Sequence, residues 1–247
     1  MTVTAPSLPE ILPSYVAGSW WTPSHPSKVT DVTDANTGAR LTGVSTDGLD
    51  TAAAIEHART VGQRALGELT IHERALKLKE LALYLNSRVQ ELYDVSFATG
   101  ATQRDHAFDV DGGIGTLFTF SGKGRRELPN STVIIDGDVE PLSRDGSFIG
   151  EHIYQRIPGV AVQINAFNFP VWGMLEKFAP SFVAGVPTVV KPAAPSRSRP
   201  ELHHAVRLAS WFTSKTSRHH GTCRGPSPNT KGRTNDQAAS RTLRPIS

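Results

Sequence analysis

The sequence contains little cysteine and no long apolar run. Its single cysteine, Cys223, excludes a disulfide within the chain and is compatible with a reducing compartment. Apolar stretches such as residues 160–162 and 186–190 are far shorter than the roughly 20 residues that cross a bilayer. Residues 1–10 lack the basic segment and apolar core of a secretory signal. We therefore expect a cytoplasmic protein without a membrane partner.

Acidic side chains are scarce in the last part of the chain. Residues 196–247 carry 10 Lys/Arg and 2 Asp/Glu, whereas residues 1–195 carry 16 and 21, so the formal charge of +3 conceals a mildly acidic body and a basic tail. Because phosphate binding needs clustered basic groups on a folded face, we expect no nucleic-acid partner for the body. Only seven of the 52 tail residues are Leu, Ile, Val, Phe, Trp or Met, so we expect disorder over 213–247.

Strand and helix patterns alternate in the body and predict an α/β protein. Short apolar pieces at 14–21 and 28–32 indicate strands. Pieces at 131–135 and 146–156 flank a polar turn and predict a hairpin, which is a common means of pairing with a second subunit. Three amphipathic helices are predicted between them: one over 52–66 capped by Asp50 or Thr51, one led by Ile71, and one over 87–97 before Gly100.

A glycine cluster at Asp111-Gly112-Gly113-Ile114-Gly115 resembles a phosphate-binding loop only superficially. It lacks a preceding apolar strand and the full GxGxxG spacing. We interpret it as a helix start or a close helix crossing.

Residues 160–191 carry the most informative pattern. It predicts a buried strand over 160–164, a helix over 171–184 between Pro170 and Gly185, and a second buried strand over 188–190. A parallel pair with a helical crossover follows. Asn168 falls in the turn after the first strand and Lys191 at the end of the second. Since open α/β sheets bind ligands at the carboxyl ends of their strands, these two residues are site candidates.

We divide the chain into four segments. Residues 1–127 hold the N-terminal strands and helices, 128–158 the oligomerisation-type hairpin, 159–195 the first β-α-β unit, and 196–247 the basic, largely disordered tail.

The turns Asn168-Phe169-Pro170 and Lys191-Pro192-Ala193, with Tyr15-Val16-Ala17-Gly18-Ser19-Trp20 and Asp34-Ala35-Asn36-Thr37-Gly38, resemble the aldehyde dehydrogenase superfamily over residues 12–195. Residues 109–117 and 164–173 are similar to the branch that acts on ring-opened CoA thioesters in phenylacetate catabolism and is joined to an enoyl-CoA-hydratase-like domain. The resemblance implies the N-terminal part of an aldehyde dehydrogenase fold, with an incomplete Rossmann-like parallel sheet. It also implies NAD(P)-dependent oxidation of an aldehyde, here a semialdehyde of such a thioester, to the carboxylic acid.

The resemblance implies residue roles as well. Asn168 would donate its amide to the developing oxyanion, and Lys191 would bind the adenosine ribose of the cofactor. Many NAD-using relatives carry a Glu that binds the ribose 2′-hydroxyl where this chain has Ala194. Because the missing carboxylate would repel a 2′-phosphate, NADP is at least as compatible with this chain as NAD. Taken singly, Asn168 could instead cap the following helix and Lys191 could be a solvated loop residue. The cofactor contacts implied in this way are Ala166, Phe167, Asn168, Lys191, Ala193 and Ala194.

The chain departs from the family beyond about residue 195. The family's Cys nucleophile lies well over about a hundred residues after the Asn-Phe-Pro turn, whereas this chain continues for 77 residues after Pro170. The family's Glu base and the Gly-rich turn that contacts the cofactor pyrophosphate should also lie downstream, and no match to them appears. We expect the chain to lack the nucleophile and the base and to be inactive alone, and we offer a shifted reading frame as a hypothesis. Cys223 has no predicted element to hold it near Asn168. With His203, His204, His219 and His220 it matches no zinc-finger spacing, so no metal is expected.

Two further hypotheses concern a chain without catalysis. It could oligomerise through the 131–156 hairpin or bind nucleotide weakly at Lys191, or its basic tail could recruit an acidic partner.

Overall fold

The computed structural model describes residues 8–166 and 168–192, and the fold is α/β as expected. The expectations for Phe167, Ala193, Ala194, Cys223 and the tail over 196–247 lie outside these residues.

Two short antiparallel hairpins begin the fold. Strand β1 (Ser14–Val16) pairs with β2 (Ser19–Trp21), and β3 (Thr30–Thr33) pairs with β4 (Arg40–Val44). The first three strands confirm the apolar pieces at 14–21 and 28–32. The sequence did not reveal β4, which is also held from outside its hairpin: the Gly43 N–H donates to the Glu10 carbonyl at 2.8 Å.

The helices follow the predicted order with finer divisions. Helix α1 (Thr51–His57) continues through a π-helical turn (Ala58–Gly62) into α2 (Gln63–Gly67), and α3 spans Ile71–Ser87. Helix α4 (Val89–Ser96) ends in a 3-10 turn (Phe97–Thr99), and α5 (Gln103–His106) runs through a second π-helical turn (Ala107–Asp111) into α6 (Gly112–Arg126). None of the helices in the described part of the chain is long and apolar enough to cross a membrane.

Side-chain caps explain where these helices begin. Asp50 accepts a hydrogen bond from the Ala53 N–H at 2.8 Å, which confirms it as the cap of α1. Helix α3 begins with a reciprocal capping box between Thr70 and Glu73, a signal that our sequence interpretation overlooked. Gly100 ends the 3-10 turn in the left-handed conformation at φ 78°, as expected.

The core lies where α3 and α6 pack against a seventh helix, α7 (Pro170–Val183). The glycines at the start of α6 let α7 approach: a Cβ at Gly112 would come within 2.9 Å of the Trp172 ring, and one at Gly113 within 3.0 Å of the Trp172 backbone. The interpretation of the glycine cluster as a close helix crossing is therefore confirmed, whereas the chain is already helical before the cluster, so no new helix starts there. The buried side chains of this core are Ile71, Leu78, Leu81, Ala82, Leu85, Leu92, Val110, Ile114, Leu117, Val171, Met174, Leu175, Ala179 and Val183.

The predicted hairpin is present, but its first strand lies later than expected, over 134–141 and not 131–135, and Ile134 at its start packs against the helical core. Strand β5 (Ile134–Pro141) pairs with β6 (Ile149–Tyr154), with an irregularity between Asp136 and Glu140. Its apolar side chains are largely in solvent. The exposed set in and beside the hairpin is Ile135, Val139, Leu142, Phe148, Ile149, Ile153, Tyr154 and Ile157.

The parallel pair confirms the predicted β-α-β unit and corrects its burial. Strand β7 (Ala161–Ile164) pairs in parallel with β8 (Thr188–Lys191), and α7 is the crossover. We expected both strands to be buried, but Val162 is 57% and Ile164 72% exposed, while Gln163 is buried. Gln163 faces α7, where its Nε2 lies 3.4 Å from Ser181 Oγ, so α7 covers one face of the pair. No other element among the described residues covers the opposite face.

Candidate functional site

The carboxyl ends of β7 and β8 lie side by side. Ile164 is in register with Lys191, and the Asn165 N–H, just beyond β7, donates to the Lys191 carbonyl at 3.1 Å. The Asn165 side chain is buried, and its Nδ2 has no hydrogen-bond partner among the described residues. Ala166, Asn168 and Lys191 are exposed at this edge of the sheet. The two residues that the sequence singled out therefore lie where parallel strands present polar groups to a ligand.

A strained turn connects β7 to α7. Phe169 adopts φ 50° and ψ 56°, a left-handed conformation that is costly for a bulky side chain. Its carbonyl accepts the Gly173 N–H at 2.8 Å, and its ring packs edge-on against Trp172 with centroids 6.4 Å apart. Pro170 follows at the first helical position, where its missing N–H costs nothing. This turn places Asn168 outside the helix.

Asp109 caps α7 from a different element. Its carboxylate accepts the Trp172 N–H at 2.8 Å and the Val171 N–H at 3.3 Å. Asp109 is buried in the π-helical turn before α6, and its negative charge lies at the positive end of the α7 dipole. Among the described residues, the acceptor for the Val171 and Trp172 N–H groups is therefore Asp109 and not Asn168, which does not support the alternative in which Asn168 merely caps the helix.

Arg74 holds the other end of α7. Its buried guanidinium donates to the carbonyls of Val183 (2.8 Å), Leu66 (3.0 Å) and Leu69 (2.5 Å). Burial lowers the pKa of Arg74 below its ordinary value, and the nearby Arg156 adds to this effect. A cation at the C-terminal end and a carboxylate at the N-terminal end both complement the helix dipole, so α7 is fixed at both termini.

The segment that carries Asp109 is itself tied to α4. His106, in α5, is buried, and its Nδ1 lies 2.6 Å from Ser96 Oγ. Its ring meets Phe97 edge-on with centroids 4.4 Å apart. Burial lowers the pKa of His106, with the neighbouring Asp105 opposing the shift, and a neutral imidazole suits this apolar surrounding.

An open cleft of about 400 Å³ lies beside the α7 N-terminus. Aromatic rings dominate its walls, and the Asn168 amide forms no hydrogen bond with a described residue. Its lining comprises Phe108, Ala166, Asn168, Phe169, Trp172, Gly173, Glu176 and Lys177. Such a mixture of apolar surface and a few polar groups is typical of a small-molecule site.

Lys177 is the only basic residue among the described residues that line the cleft, and its donors are engaged. Its Nζ donates to Asn165 Oδ1 at 3.2 Å and to the Gly173 carbonyl at 2.5 Å. It also pairs with Glu176 at 3.6 Å. The ammonium is therefore directed at the protein, and the cleft offers little net charge to a ligand.

The structure thus brings Ala166 and Asn168 together in one cleft, while Lys191 lies at the same sheet edge outside the cleft lining. Sequence interpretation did not identify Asp109 as a contributor, because its link to α7 spans more than sixty residues. Its presence in the 109–117 stretch, which is similar to known relatives, was the available signal. Within the described residues, no cluster of three or more His, Cys, Asp or Glu side chains is placed to hold a metal ion.

Comparison with known proteins identifies the class. The model of the aldehyde dehydrogenase family matches residues 21–209, so the chain belongs to that family. It is 42% identical over 186 residues to the 3,4-dehydroadipyl-CoA semialdehyde dehydrogenase of Aromatoleum evansii. That match covers 75% of this chain and 36% of the relative, so the chain spans about a third of the relative's length.

Solved structures agree on the fold. Aldehyde dehydrogenase 21 from Physcomitrella patens, in complex with the reaction product succinate, matches with a TM-score of 0.66 at 19% identity, over 84% of this chain and 41% of that one. A 3,6-anhydro-L-galactose dehydrogenase in complex with NAP, the nucleotide NADP, matches with a TM-score of 0.66 at 22% identity, over 82% and 40% of the two chains. The described residues therefore form part of an aldehyde dehydrogenase fold.

Proposed function

We propose that this chain belongs to a cytoplasmic enzyme that oxidises an aldehyde to the carboxylic acid with NADP or NAD as hydride acceptor. The proposed substrate is the semialdehyde of a ring-opened CoA thioester, as in phenylacetate catabolism. The similarity to the 3,4-dehydroadipyl-CoA semialdehyde dehydrogenase supports this substrate class.

One observation carries the proposal: Asn168 lies in the cleft wall while another residue caps the helix behind it. Because Asp109 satisfies the Val171 and Trp172 N–H groups, Asn168 has no structural task at the helix start. A neutral amide on a fixed turn suits the stabilisation of an oxyanion as an aldehyde carbonyl is attacked. We assign that role to Asn168.

The same geometry limits where the nucleotide binds. A helix N-terminus is ordinarily a good site for a pyrophosphate. Because the Asp109 carboxylate occupies the N-terminus of α7, its negative charge repels a pyrophosphate there. Lys191 is exposed at the end of β8, where its ammonium can meet ribose hydroxyl or phosphate oxygens. We assign it to the adenosine ribose, with Ala166, Phe167, Asn168, Ala193 and Ala194 as further cofactor contacts. The bound nucleotide would supply the hydride acceptor.

The cleft favours a substrate whose second carbonyl group, away from the aldehyde, is uncharged. Lys177 directs its donors to Asn165, Gly173 and Glu176, so the described lining provides no uncommitted cation for a free carboxylate. A semialdehyde of a free dicarboxylic acid would place such a carboxylate there, whereas a thioester carries no charge at that carbonyl. This supports the thioester.

Nucleotide binding tests the first part of the proposal. We expect the purified chain to bind NADP or NAD in a calorimetric titration, and Lys191→Ala to weaken binding about 10-fold, as expected for one lost charge-assisted contact. The matched control is Lys79→Ala, which removes an exposed lysine from α3 and should leave the affinity unchanged. Equal loss in both variants, or no binding by the unaltered chain, would contradict the assignment.

Turnover tests the second part. We propose that Cys223, the single cysteine of the chain, does not act as the nucleophile, so the chain alone should bind nucleotide without reducing it when an aldehyde is added. The measurement is absorbance at the reduced-nicotinamide band. Reduction that disappears in Cys223→Ser would instead assign the nucleophile to Cys223 and contradict this part.

The exposed hairpin supports a second candidate function, self-association. Eight exposed large apolar side chains lie in or beside the antiparallel pair of β5 and β6, and such patches mark contact surfaces. We propose that the hairpin pairs with a second copy of the chain. Sedimentation at increasing protein concentration tests this, and a monomer throughout would contradict it.

A further inference from the structure

Gly173 lies in the second turn of α7, where neither its backbone nor its packing requires glycine. Its φ is not positive, so its conformation is open to any residue. A Cβ built there would meet one described atom within 4 Å, Lys177 Nζ at 3.7 Å, which is an ordinary contact. Glycine is less favourable than alanine inside a helix, so this residue weakens α7 without a structural reason.

Other glycines near α7 differ in this respect. A Cβ at Gly112 or Gly113 would fall within about 3 Å of Trp172, and one at Gly124 would lie 3.0 Å from Ala75. Those glycines are explained by helix packing. Gly173 instead faces the cleft, where it is one of the lining residues.

We propose that Gly173 determines substrate specificity by leaving room for a bulky acyl chain to lie against the α7 backbone. This rests on the proposed function, since it concerns the same cleft. The cleft that Gly173 lines also contains the rings of Phe108, Phe169 and Trp172, which suit an apolar chain, with the Glu176–Lys177 pair as its charged part. A volume of about 400 Å³ is in the range that holds drug-sized ligands, well beyond the needs of a short aldehyde.

The test separates helix stability from binding. Gly173→Ala and the control Gly115→Ala both replace a helical glycine that has room for a methyl group, and Gly115 is outside the cleft lining. We expect both variants to raise the melting temperature by about 2–4 °C. Binding is followed by the indole N–H signal of Trp172 in NMR spectra, assigned with Trp172→Phe. The probes are hexanoyl-CoA as the bulky thioester and propanal as the short aldehyde.

We expect Gly173→Ala to weaken hexanoyl-CoA binding about 5-fold and Gly173→Leu at least about 10-fold, because added carbons occupy the space of the acyl chain. Propanal binding should change less than about 2-fold in either variant. Gly115→Ala should match the unaltered chain with both probes.

Three outcomes overturn the inference. Equal hexanoyl-CoA binding by the unaltered chain and both Gly173 variants would show that the space is not used, and would leave the proposed function standing. A lower melting temperature for Gly173→Ala beside a higher one for Gly115→Ala would reveal a structural need for glycine. A chain that binds nucleotide while hexanoyl-CoA leaves the Trp172 signal unmoved would remove the thioester from this cleft. Absence of both nucleotide and thioester binding is the failure of the proposed function itself.

Discussion

The helical core and the β5–β6 hairpin obtain their stability in different ways. Helices α3, α6 and α7 bury a continuous set of Leu, Ile, Val and Met side chains, and Asp109 and Arg74 fix α7 at both ends. The hairpin leaves most of its large apolar side chains in solvent, with Ile134 packed against the core, and its two strands are joined by their own ladder of hydrogen bonds. An isolated two-stranded hairpin is marginal in water.

This difference separates two tasks. The candidate site lies at the N-terminal end of α7, which is well packed. The strained turn at Phe169 and the Asn168 amide both need rigid support there. The hairpin exposes a patch of apolar side chains, the surface that we propose pairs with a second copy of the chain. Four predictions follow this contrast, from the largest expected effect to the smallest.

Core truncation should have the largest effect. Leu78→Ala removes a fully buried side chain of α3 and should lower the free energy of unfolding by about 3 kcal/mol, measured in urea. Leu83→Ala on the same helix is the matched control, because Leu83 is 52% exposed and should change stability by less than about 0.5 kcal/mol. Similar losses in both would show that α3 does not pack through this face.

Removal of the α7 cap should have the next largest effect. Asp109→Ala deletes both acceptors at the helix start and should cost about 2 kcal/mol. Asp109→Asn keeps one acceptor oxygen and should cost about half as much. If the substitution accelerates amide hydrogen exchange more at Trp172 than at Leu175, relative to the unaltered chain, the loss of stability lies in the first turn of α7. Unchanged exchange at Trp172 would contradict the capping role.

The His106 contact should make stability depend on pH. Burial lowers the pKa of the folded-state imidazole, so the unfolded chain takes up a proton first, and stability falls as the pH drops below about 6.5. His106→Gln should lose this part of the dependence. The measurement is the difference in urea midpoint between pH 7.5 and pH 5.5 for each protein. An equal difference in both would exclude His106 as the cause.

Hairpin substitution should have the smallest effect on stability. Ile149→Thr replaces an exposed apolar side chain and should change the free energy of unfolding of the monomer by less than about 0.5 kcal/mol. It should nevertheless reduce self-association in sedimentation experiments, because the apolar patch is smaller. A large loss of stability at low protein concentration would contradict the contrast between the two regions.

Local signals predicted much of the fold. The Asp50 cap, Gly100, the close crossing at the glycines of α6 and the parallel β7–β8 pair were all recognisable, because turn chemistry and apolar periodicity act over a few residues. The exposure of Val162 and Ile164 in β7 was not recognisable, because apolar strand residues are buried only if a second layer covers them. Asn168 and Lys191 were singled out by their places after the predicted parallel strands, and their roles came from the resemblance. The capping role of Asp109 depends on a contact with a helix more than sixty residues away, and the proposed role of Gly173 depends on the space beside it. No short sequence pattern encodes either.

The central claim is that nucleotide and substrate meet at the strand ends beside the fixed end of α7, away from the hairpin. An NMR titration of the labelled chain with NADP tests it most directly. The account predicts shifts in the backbone signals of Lys191 and of the Asn168–Phe169 turn, with Ile149 and Ile153 unmoved. Shifts concentrated in the β5–β6 hairpin, or none at the strand ends, would contradict it.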